Sequence, residues 1–232
     1  YQQYVYDCAR IFSSLPRQNI KPAALAIRPD VNVWTRPLNS SYPLVPAAAL
    51  LNSYDYLCDI NMAPHIDLSR YLMIVAHDSG ALQDSTVHAL TAWLRETPGL
   101  LVVHVDMPCE NDMEAGTIAD HDGRLRNDWP WEDDIRIEKR DLSVAGKKHP
   151  LTLEFGSQQL PLENAYIASY VETRGARARS LATFGGKTVL AVWQDSERFE
   201  GTVLFDGMAV TSAEYLDRLR QVITETTPAA AS

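Results

Sequence analysis

The sequence predicts an α/β domain on a mostly parallel sheet with a β-rich extension. Two observations carry this expectation. Short apolar runs without alternation, Ala23–Ile27, Tyr71–Ala76 and Leu100–Val103, have the character of strands buried on both faces. Between the last two lies a segment whose apolar residues fall at helical spacing, and strand, helix, strand is the order that parallel crossovers require.

Taken in order, Tyr4–Leu15 places Val5, Cys8, Ile11, Phe12 and Leu15 at helical spacing, and Pro16 closes that helix. The strand Ala23–Ile27 ends at Arg28-Pro29-Asp30. A Pro-rich loop from Thr35 to Pro46 then leads into a brief helix over Ala47–Leu51. Tyr54–Ile60 reads as a second strand and Tyr71–Ala76 as the clearest one. Leu82, Val87, Leu90, Trp93 and Leu94 form one helical face, with Asp84 or Ser85 placed to cap it and Pro98-Gly99 to stop it. From Cys109 to Pro150 the periodicity weakens into an acidic insertion, broken at Gly116, Gly123 and Pro130, with some β-structure expected.

The last third reads as strands and turns: Leu151–Phe155, Ala165–Val171, Ser180–Phe184, the turn Gly185-Gly186, Thr188–Trp193 and Thr202–Phe205. Thr211-Ser-Ala-Glu214 has capping-box spacing. Leu216, Leu219, Val222 and Ile223 line the closing helix that follows. Residues 1–225 are expected to form a single domain with its insertion around 109–150, and 226–232 a tail.

Composition narrows the function classes. Hydrophobic residues make up 46% and charged residues 22%, enough apolar material for a sizeable core. The net charge of -9 argues against nucleic acid or an anionic membrane as partner. No apolar run approaches the roughly 20 residues that cross a bilayer. Three cysteines, Cys8, Cys58 and Cys109, provide neither a disulfide framework nor a Cys-x-x-Cys metal signature, and no leader is legible at Tyr1–Tyr6. Reduced thiols in a cytoplasmic setting are the expectation.

Several segments together resemble the class I glutamine amidotransferase-like domain of trimeric β-galactosidases and related glycoside hydrolases. They are Ala23–Ile27, Leu50–Met62, Asp67-Leu-Ser-Arg-Tyr-Leu-Met-Ile-Val75, the Leu82–Trp93 helix and Gly99–Val103. Near the end come Gly185-Gly186 and Gly201-Thr-Val-Leu-Phe205 with the closing helix. The likeness runs over Tyr4–Leu101 and Leu181–Ile223. It implies a three-layer, flavodoxin-like fold and a non-catalytic accessory role in a carbohydrate-processing protein, supporting oligomer assembly or shaping the substrate region. It also implies that Tyr1 marks a cut from a larger polypeptide. Partners would be further copies, other domains of that polypeptide, or carbohydrate.

A working glutamine amidotransferase needs a cysteine on a tight strand-to-helix turn between glycines, with a His-Glu pair downstream. This chain has no Gly-x-Cys-x-Gly and no downstream His-x-Glu; its one cysteine after a strand is Cys109, preceded by Pro108. No cofactor is expected. The residues that carry an alternative chemistry are His77-Asp78 and His104-Val-Asp106, at the ends of two strands expected to be neighbours, because ligands gather at the carboxyl ends of parallel strands. With Cys109 as nucleophile and His104 as base they would make a small hydrolase or amidase; His77, His104 and Asp106 could instead hold a metal. The bland alternative is that all of them cap strand ends. Asp120-His-Asp122 reads as a solvated turn. Trp129 and Trp131, among Asp128, Glu132, Asp133 and Asp134, read either as a contact surface for a partner or a sugar or as a loop folded back on the domain. The cluster Arg174, Arg177 and Arg179 is expected to pair with local carboxylates.

Overall fold

The computed structural model describes residues 24–29, 55–59, 66–76, 82–104, 129–138, 149–165, 167–208 and 212–226. The expected helices at Tyr4–Leu15 and Ala47–Leu51 and most of the 109–150 insertion lie outside them. The described strands are β1 (Ala24–Pro29), β2 (Asp55–Asp59), β3 (Met73–Ala76), β4 (Leu100–Val103), β5 (Ile135–Glu138), β6 (His149–Phe155), β7 (Gln158–Ala165), β8 (Tyr170–Thr173), β9 (Ala178–Phe184), β10 (Lys187–Trp193) and β11 (Thr202–Asp206). Two α-helices accompany them, α1 (Asp84–Glu96) and α2 (Ala213–Thr226).

All the strands join one sheet in the order β2-β1-β3-β4-β11-β10-β9-β6-β7, with β8 on β10 and β5 on β8 as a branch. The pairings from β2 to β11 are parallel, four in all. The remaining six are antiparallel. The expectation of a mostly parallel sheet is therefore corrected: the sheet is mixed and mostly antiparallel. An apolar run reports burial on both faces, not strand direction. Strand β10 shows why. From Thr188 to Trp193 it is buried throughout, yet it runs antiparallel to both β9 and β11.

Side chains alternate across the parallel block and build a core on each face. Ile74, Leu101, Val103, Val203 and Phe205 point to one side, where Val87, Leu90, Trp93 and Leu94 of α1 cover them. Val75, Leu100, Val102 and Leu204 point to the other, under Tyr215, Leu219 and Val222 of α2. The block is thus covered by a helix on each face.

Several local expectations are revised. Gln83, not Asp84 or Ser85, is the N-cap of α1, and it makes no side-chain capping bond. Thr211 lies outside the described residues. Ser212 caps α2, its Oγ accepting from the Tyr215 N–H at 3.3 Å. The stretch read as one strand over Ala165–Val171 is the end of β7 and the start of β8. Strand β7 itself was not anticipated. It follows β6 through Gly156, whose φ of 59° lies in the left-handed region that glycine enters freely. The polar residues of β7 hide its strand character, because it relies on β6 for pairing. Among the described residues no helix is long and apolar enough to cross a membrane.

The parallel block meets the antiparallel extension at Gly207. Its N–H donates to the Val189 carbonyl at 2.8 Å, and its carbonyl accepts from Ala168 N–H at 2.7 Å. A Cβ there would stand 2.1 Å from the Ser169 carbonyl oxygen, so the obstacle is backbone that cannot swing away. Gly207→Ala is expected to cost about 3 kcal/mol of stability through this overpacking. Urea unfolding followed by Trp fluorescence checks it, and an unchanged midpoint would mean the backbone yields there.

Candidate functional site

The carboxyl ends of β3, β4 and β11 lie side by side. Val103 is in register with Ala76 on one flank and Phe205 on the other. His104 continues β4, its N–H donating to the Ala76 carbonyl at 3.0 Å. One step past the paired Val103 and Phe205, His104 and Asp206 are therefore neighbours. Alternation puts both on the face that carries Val102, Leu204 and α2. Of the sequence-predicted site residues, His104 alone is a described member of this edge; it is buried, at 2% exposure. His77, Asp78, Asp106 and Cys109 lie outside the described residues, as do Asp120 and Asp122. Neither the Cys109–His104 pair nor the His77, His104, Asp106 set is therefore seen together. Among the described residues, no group of three His, Cys, Asp or Glu side chains could hold a metal ion.

The structure adds two residues that the sequence did not single out. Asp206 ends β11 at 1% exposure, and Tyr215 on α2 is fully buried above it. The Tyr215 hydroxyl donates to Asp206 Oδ1 at 2.8 Å, and the Met208 N–H donates to the same oxygen at 3.0 Å. Asp206 Oδ2 has no hydrogen-bond partner. Burial pushes the Asp206 carboxyl up to about 7, against the opposing pull of the two hydrogen bonds. Burial, with the adjoining carboxyl, also holds the Tyr215 phenol well above its ordinary value. The group thus exchanges a proton near neutrality. Its burial, however, leaves no face for an external substrate, and Tyr215 blocks the oxygen it bonds. A strand-end Asp followed by Gly, with a Tyr in the first turn of the next helix, was the available signal.

Trp129 and Trp131 are buried, at 3% and 2% exposure. The two rings stack at 4.5 Å with 17° between planes, and Trp131 meets Phe205 edge-on at 5.1 Å and Trp193 at 6.2 Å. The reading of these indoles as an exposed contact surface is corrected: in this chain they fold back into the core beneath α1. Flanking acidic residues hid this, since they make the segment look solvated. One of them, Asp134, is itself buried. Its Oδ2 accepts from Trp193 Nε1 at 2.8 Å and pairs with Arg177 Nε at 2.9 Å. Arg177 also reaches Asp195 at 3.1 Å, and Asp195 meets Arg198 at 2.7 Å. The hydrogen bond that Arg177 donates to Asp134, with the charge of that carboxylate, raises the Arg177 pKa; Arg198 leads the effects that hold the Asp195 carboxyl below its usual range. Arg174 pairs with Glu172. Two of the three arginines pair with local carboxylates as expected; for Arg179 there is no ion pair among the described residues.

Known structures share this architecture. Gan42B, a GH42 β-galactosidase, superposes with a TM-score of 0.58 at 15% identity, over 88% of this chain and 30% of its own. A β-galactosidase from the Antarctic haloarchaeon Halorubrum lacusprofundi gives 0.60 at 12% identity, over 95% of this chain and 33% of its own. The likeness is one of fold. This chain spans about a third of the length of those β-galactosidase chains. The mmIFT52 N-terminal domain gives 0.52 at 11% identity, over 89% of this chain and 99% of its own. The same arrangement therefore occurs both as part of a long chain and as almost the whole of a short one. No family model and no curated protein matches the chain.

Proposed function

We propose that this chain is a non-catalytic, amidotransferase-like accessory domain of a carbohydrate-processing, glycoside hydrolase-like protein, where it supports oligomer assembly or shapes the substrate region. The observation that carries the proposal is the partial overlap with GH42 β-galactosidases: nearly all of this chain matches less than a third to a third of theirs. In such a protein the chemistry would belong to the remaining two thirds. On this reading β2-β1-β3-β4-β11, with α1 and α2 on opposite faces, is the flavodoxin-like, three-layer core. The state of the carboxyl edge supports it too. Asp206, the described group there that titrates near neutrality, is enclosed by Tyr215 and the core, whereas a general base must reach its substrate.

The chain by itself is expected to hydrolyse neither an aryl β-galactoside nor glutamine, and to associate with itself or with a catalytic glycosidase domain. Chromogenic and ammonia-release assays with the full chain, alongside sedimentation velocity, check both points. Turnover that disappears in a Cys109→Ser or His104→Ala variant would overturn the accessory reading and point to the hydrolase alternative.

A further inference from the structure

A second site stands at the opposite end of β11. Here β9, β10 and β11 present one row of side chains: Gln194 N–H donates to the Arg177 carbonyl at 2.9 Å, and the register that pairs Trp193 with Val203 brings Gln194 beside Thr202. Two residues along β9 from Arg177, Arg179 is in register with Val192. These side chains and the last turn of α2 line a cavity of 430 Å³, with Glu225 and Thr226 on the helical wall.

The two walls have opposite polarity. On the sheet side Arg177 is committed to Asp134 and Asp195, which leaves Arg179 as the lining guanidinium with no ion pair among the described residues. Thr202 is only 2% exposed and its hydroxyl has no hydrogen-bond partner, a state that costs stability unless something fills it. On the other side α2 ends with no basic residue in its last turn; the Thr226 hydroxyl donates to the Val222 carbonyl at 2.7 Å, but no positive charge opposes the negative end of the helix there, and Glu225 adds a carboxylate. A cation at that wall and an anion at the strand wall would answer both deficits.

We propose that this cavity binds a small zwitterion of the α-amino acid type. Its carboxylate meets Arg179 and the Thr202 hydroxyl, and its ammonium meets Glu225 and the terminal carbonyls of α2. Gln194 supplies an amide that can turn toward either group.

The test uses the full chain labelled with nitrogen-15, titrated separately with glycine, acetate and methylamine while the Gln194 and Thr202 amide signals, present in every variant, are followed. Glycine is expected to saturate with a Kd of about the millimolar range, in keeping with two charge-assisted contacts to so small a ligand. Arg179→Gln and Glu225→Gln should each weaken glycine by about tenfold, the usual effect of losing one charged hydrogen bond. Acetate should bind at least that much more weakly than glycine and be insensitive to Glu225→Gln. Both substitutions are at exposed positions, and circular dichroism establishes that the variants fold. Absence of a saturable shift with glycine overturns the site; acetate binding as well as glycine overturns its zwitterionic character.

Discussion

Replacing Asp206 with Asn is expected to stabilise the fold at pH 8 by about 4 kcal/mol and to change it little at pH 4. The sign follows from where the carboxyl holds its proton. In the unfolded chain it ionises near 3.8, whereas burial keeps it protonated in the folded state up to about 7. Between those values the unfolded state binds fewer protons than the folded state, so stability falls as pH rises through that window. Below it both states are protonated; above it both are ionised, and the penalty is complete. Asn imitates the protonated carboxyl, retains an oxygen for the Tyr215 hydroxyl and the Met208 N–H, and never ionises. Parent and variant should therefore diverge progressively from about pH 4 to pH 7. Urea unfolding at intervals across that range measures the difference directly. A gap that is constant with pH would mean that Asp206 titrates alike in both states.

Asp134→Ala is expected to be the most damaging single truncation at the junction between β5, β8 and β10, costing about 3 kcal/mol. The carboxylate holds the Trp193 indole N–H and Arg177 at once. Truncation would leave that N–H buried without an acceptor, since Trp193 has no exposure. The loss of Arg177 contributes little, because its side chain is 42% exposed and water replaces the contact. Asp134→Asn keeps an acceptor for the indole and should recover more than half of the stability. Thermal unfolding of the two variants separates these contributions. Adding Trp193→Phe to Asp134→Ala removes the orphaned donor, and an additive rather than compensating result would refute the hydrogen-bond account. The neighbouring Gly175 shows how closely this carboxylate is held: a Cβ there would stand 1.9 Å from Asp134 Oδ1.

Much of the fold was legible in the amino-acid sequence because the relevant forces are local. The apolar runs at Tyr71–Ala76 and Leu100–Val103 had to become buried strands, and the 3.6-residue spacing of Val87, Leu90 and Leu94 had to become a helix with one covered face. Gly185-Gly186 at positive φ made the β9–β10 turn nearly inevitable. What the tertiary structure alone decided was direction, neighbour and depth. Strand β11 inserts beside β4, more than ninety residues away, and only that pairing brings Asp206 next to His104. No periodicity encodes a partner at such distance, since strand registry is settled by the packing of both faces together. Depth was equally hidden. Trp129, Trp131 and Asp134 sit in an acidic segment that reads as solvated, yet the stacked indoles, the edge of Phe205 and the Trp193–Asp134 hydrogen bond draw them inside. The sequence by itself determined that the apolar runs and the spaced face of the first helix would be buried. The assembled sheet determined what each buried polar group would meet, because that depends on side chains contributed by distant strands and on how little water remains between them.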